Sequence, residues 1–83
     1  MNHTIKNEMH SLYAKQINDL RTYMHQTTCN IVTAKRDLTK FIDKDRTDPK
    51  VGILAEHLKE NRIRMAYLVK SVKRYKKLMR EVS

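Results

Sequence analysis

The stretch Val51-Gly-Ile-Leu54-Ala-Glu-His-Leu58-Lys-Glu-Asn61-Arg-Ile-Arg-Met65-Ala-Tyr-Leu68-Val-Lys-Ser-Val72 places apolar side chains in alternating steps of three and four. Tyr75, Met79 and Val82 continue the series, and only Asn61 interrupts it. This is the heptad spacing of a helix with one narrow apolar seam. The first half of the chain repeats it at Tyr13, Ile17, Leu20, Met24, Thr27, Ile31, Ala34, Leu38 and Phe41. Folding the chain back pairs 41 with 51, 38 with 54, 34 with 58 and so on to 13 with 79, and each pair of numbers sums to 92. The spacing therefore predicts an all-α fold: two long antiparallel helices forming a coiled-coil hairpin that turns near Arg46.

Local signals set the expected boundaries. Asp48 followed by Pro49 is a helix start, because Asp accepts free amide hydrogens and Pro fits the first helical position with no donor to lose. The short polar link Lys44–Asp48 suits antiparallel neighbours. The first helix is expected over 4–43 with Thr4 as its cap, and the second over 49–81, within one domain spanning 1–83. Ile5, Met9 and Leu12 form a stripe out of step with Tyr13 and Ile17, which predicts a register slip at the N-terminal end. Gly52, in the first turn of the second helix, is read as allowing close approach near Phe41. The two central layers are polar: Thr27 should face Met65 and Asn61 should face Ile31. Such a layer fixes register or partner number at a cost in stability, unless Asn61 simply reaches solvent or a helix carbonyl.

Composition narrows the function classes. Eighteen Lys and Arg oppose nine Asp and Glu in 83 residues, for a net charge of +9. The one Gly rules out a phosphate-cradling glycine loop, and no apolar run approaches a membrane span. No secretory h-region follows Met1, and the single Cys29 has no internal disulfide partner, so a cytoplasmic protein is expected. Cys29 lies one helical turn from His25 without a third group to orient that His as a base, so nucleophilic catalysis is not indicated. Cys29 reads instead as a half-buried filler or a point where protomers meet. His3, His10, His25 and His57 offer no converging metal set, and the acids around the turn alternate with bases as solvated surface does. A non-enzymatic protein with no cofactor and no small-molecule substrate is expected.

Two surfaces remain as candidate sites. Between Lys59 and Glu81 nine basic residues stand against two acids, so that segment alone carries +7. Lys70, Lys73, Arg74, Lys76, Lys77 and Arg80 form its dense part and are the predicted phosphate contacts, with nucleic acid the first partner class and RNA ahead of DNA. An acidic protein is the second partner class, an anionic membrane surface a distant third. Against these stands the plain role of cations in opposing the dipole at a helix C-terminus. The second surface is apolar. Ile53, Ile63, Tyr67, Val69 and Leu78, with Tyr23, Cys29, Val32 and Ile42, lie off the seam. Nine such residues exceed what a lone two-helix rod should expose, so a homo-oligomer or docking on a larger assembly is expected. Ile53, Ile63, Tyr67 and Leu78 are the predicted partner contacts of the alternative function, an assembly, chaperone or adaptor subunit. The heptad arithmetic holds equally between molecules, and only the short turn favours a closed hairpin.

Overall fold

The computed structural model describes residues 3–82; residues 1, 2 and 83 of the expected 1–83 domain lie outside the described residues. The chain folds as two helices, α1 (His3–Lys44) and α2 (Pro49–Val82), packed side by side into a rod of 64 × 14 × 13 Å. The all-α helical hairpin expected from the heptads is what forms.

The turn follows from its side chains. The carboxylate of Asp48 accepts the backbone N–H of Lys50 at 2.9 Å, which caps α2 ahead of Pro49. Asp45 makes the other half of the turn. Its Oδ1 accepts the backbone N–H of Thr47 at 3.0 Å and the Thr47 hydroxyl at 2.6 Å. These two bonds favour the ionised carboxylate and hold the Asp45 pKa below its ordinary value, the side-chain bond to Thr47 contributing most. The amide of Asp45 closes α1 by donating to the carbonyl of Phe41 at 2.8 Å. Lys50 sets its ammonium 5.2 Å from the centre of the Phe41 ring, a cation–π contact at the same end.

Every predicted seam residue from Tyr13 to Phe41 and from Val51 to Val82 is buried or half-buried. The apolar core is small, comprising Ile17, Ala34, Leu58, Leu68 and Val72. Thr27 and Asn61 are as deeply placed, at 2% and 3% exposure. Both donate to their own helices, Thr27 its hydroxyl to the Tyr23 carbonyl at 2.7 Å and Asn61 its amide to the His57 carbonyl at 2.8 Å. At the open end the rings of Tyr13 and Tyr75 meet with centroids 6.0 Å apart and planes tilted by 45°.

Four expectations are corrected. The register does not slip: Ile5 and Leu12 are exposed, whereas Lys6 and Met9 are half-buried in step with Tyr13. The seam arithmetic sets Val82 opposite residue 10, so among the described residues no part of α2 faces Ile5. Thr4 lies inside α1 rather than at its cap. Gly52 is not a close-approach residue, since a Cβ built on it meets nothing within 4 Å. Cys29 is exposed rather than half-buried, with its sulfur 3.8 Å from Nε2 of His25.

Candidate nucleic-acid interface

The hairpin sorts the heptad positions into two flanks. With seam residues as a and d (Val51 as a, Leu54 as d; Ile17 as a, Leu20 as d), an antiparallel pair sets e and b positions of both helices on one side and g and c positions on the other. Burial follows this division. Ala14, Ile42 and Val69 at e, and Gln16, Asp37, Ser71 and Leu78 at g, are half-buried, as positions beside a seam should be. The grooves follow it too. One is lined by Leu38, Ala55, Leu58, Lys59, Arg62, Ile63 and Ala66, along the b/e side of α2. Another, on the g/c side, is lined by Asn30, Thr33, Ala34, Asp37, Leu54 and His57.

Charge is divided between these flanks in the same sense on both helices. Arg21 and Lys35 of α1 and Lys59, Arg62, Lys73, Lys76 and Arg80 of α2 occupy b or e positions, and no Asp or Glu does among the described residues. The c/g flank is mixed, with Asp19, Asp37, Glu60 and Glu81 among Lys40, Lys44, Lys50, Arg64 and Arg74. The remaining acids lie on the outer f ridge or in the turn. One long side of the rod is therefore uniformly cationic. At 1.5 Å per residue its α2 portion, Lys59 to Arg80, extends about 30 Å. All seven of its cations are exposed. At the open end His10 lines a groove with Lys76, Met79 and Arg80.

The predicted phosphate contacts thus divide. Lys73, Lys76 and Arg80 stand together on the cationic flank. Lys70 and Lys77 lie on the outer ridge of α2, and Arg74 belongs to the opposite flank. Sequence reading counted Lys59 and Arg62 in the basic segment without naming them as contacts, and missed Arg21 and Lys35 as members of the same surface. The signal was present: aligning the two heptads and asking where acids are missing finds them. The predicted apolar contacts also divide. Ile53, Tyr67 and Leu78 lie on the c/g flank, whereas Ile63 lies on the outer ridge, and of the four only Leu78 is half-buried. Among the described residues no three His, Cys, Asp or Glu side chains gather as metal ligands would, and no helix is long and apolar enough to cross a membrane.

The chain matches no protein-family model, no curated protein and no solved structure. The class its structure defines is the all-α antiparallel helical hairpin, with one cationic flank.

Proposed function

We propose that this protein is a small, non-enzymatic nucleic-acid-binding hairpin that grips the phosphate backbone with its b/e flank, RNA being the first substrate class and DNA the second. The observation that carries the reading is the sorting of charge: seven Lys and Arg drawn from both helices share a flank without an Asp or Glu among the described residues. Dipole compensation explains cations in the last turn of α2, because that effect falls off within one turn. It does not explain Lys59, Arg62, Arg21 or Lys35. A mere solvated surface needs both signs, as the c/g flank shows. Phosphate contacts of this kind release counterions and give salt-steep, weakly sequence-dependent binding. The exposed ring of the interleaved Tyr67 lies on the other flank, so the contact is to backbone rather than a base-stacking platform.

The test is fluorescence anisotropy with single-stranded RNA, duplex RNA and duplex DNA across a salt series. Binding should weaken linearly in log salt. The K73E/K76E variant should lower the slope by about 1.5, and R21E on the other helix by a further ~0.8. R64E/R74E, two cations removed from the opposite flank, should leave the slope nearly unchanged. Equal loss from both double variants would refute the flank, and absence of binding at low salt would refute the function.

The runner-up, an assembly or adaptor subunit docking through Ile53, Ile63, Tyr67 and Leu78, is supported by the exposure of the first three.

A further inference from the structure

The flank opposite the cationic one holds most of the exposed apolar surface. Ile5, Leu12, Tyr23, Ile53 and Tyr67 all lie there and stand in solvent, and half-buried Leu78 adjoins them. Tyr67 is 69% exposed and Ile53 67%, in a rod with only five buried apolar side chains. We infer that a second copy of this chain docks on the c/g flank, antiparallel to the first, giving a four-helix dimer.

The occupant is selected by charge, direction and area. The b/e flank repels its own copy, whereas the c/g flank mixes acids and bases and is self-compatible. Direction follows from the ends. Lys40, Lys44 and Lys50 lie near the turn and Glu81 near the open end. Parallel docking would set three lysines against their own copies; antiparallel docking brings Glu81 among them and Arg74 toward Glu60. The apolar positions agree. Counting 1.5 Å per residue, Ile53 lies about 20 Å to the turn side of Gln26, and Leu12 and Leu78 about 20 Å to the other side. A two-fold axis near Gln26, running across the rod, stacks each helix on its own copy and sets Ile53 against Leu78 of the other copy, with Tyr23 and Tyr67 close to the axis. The rod's 64 × 14 Å outline is about 900 Å², close to the ~800 Å² per partner of a standard stable interface. The dimer leaves both cationic flanks facing outward, and it does not depend on what those flanks bind.

Light scattering over a hundredfold concentration range, at low and high salt, reads the mass. A dimer has twice the 9.9 kDa of the chain. Y67E should halve the mass while circular dichroism stays helical, and I53E should do the same if Y67E unfolds. I63E, on the outer ridge, should remain dimeric. Orientation is read by oxidation in a C29S background. I53C and L78C in one chain lie about 38 Å apart, too far to bridge internally, so the I53C/L78C variant should form covalent dimers and neither single variant should. A single-chain mass throughout would overturn the proposal, as would a dimer indifferent to Y67E and I53E alike. A dimer by mass in which I53C/L78C forms no covalent dimer would overturn the antiparallel arrangement.

Discussion

Asn61 donates its side-chain amide to the carbonyl of His57 one turn back, and its own Oδ1 is left buried without a partner. Half of the polar group is satisfied and half is not. Thr27, one layer away, has its one hydroxyl proton committed to Tyr23. The centre of the rod therefore trades stability for polarity, as an interrupted heptad does.

Replacing that group should stabilise the hairpin. Asn61→Leu removes an orphan acceptor and fills the layer with apolar volume, and a gain of about 1–3 kcal/mol is expected. For a domain of this size each kcal/mol moves the melting temperature by about 4–8 °C, so calorimetry reads it directly. An unchanged or lower melting temperature would show that the orphan acceptor carries no penalty.

The start of α2 rests on one carboxylate. Asp48→Ala deletes the acceptor of the Lys50 amide and should cost about 1 kcal/mol, measured as a lower urea midpoint at unchanged slope. Asp48→Asn should retain most of the cap.

Gly52 is an opportunity for stabilisation. It sits in a helix, its Cβ would meet open space, and no left-handed conformation requires it. Gly52→Ala should raise stability by about 0.5–1 kcal/mol by removing backbone freedom from the unfolded chain. Loss of stability on thermal melting would contradict the open surroundings of this residue.

Acid should loosen the turn. The Asp45 carboxyl is held below its ordinary pKa by the two Thr47 hydrogen bonds, so the folded state binds fewer protons than the unfolded one there. That contribution is present above the ordinary carboxylate pKa and is lost as pH falls through the lowered folded value. In Thr47→Ala the hydroxyl bond is gone, and the acid-induced drop in the urea midpoint should be smaller than in the parent.

Much of the architecture was legible because helix periodicity is a local property that repeats. The seam residues Tyr13 to Phe41 and Val51 to Val82, the Asp48–Pro49 start and the polar centre all follow from spacing and capping chemistry. Where the reading failed, an apolar residue was taken for a seam residue. Ile5 and Leu12 are as apolar as Ile17, yet the heptad continues without a slip and leaves both at off-seam c positions. Gly52 was read as a contact because a glycine in a helix invites a reason, whereas the packing supplies none.

The candidate surface was half legible. Lys73, Lys76 and Arg80 stand out as a dense run in one helix. Arg21 and Lys35 lie far away in sequence, each looking like an ordinary solvated cation. Each heptad shows that its b and e positions lack carboxylates, but only side-by-side packing adds the e and b positions of both helices into one flank. The sequence by itself determined the two helices, their seam, their turn and the charge each carries. The tertiary structure decided which charges share a side and which apolar residues stay exposed, because a flank belongs to two helices and depends on their register, hand and relative length.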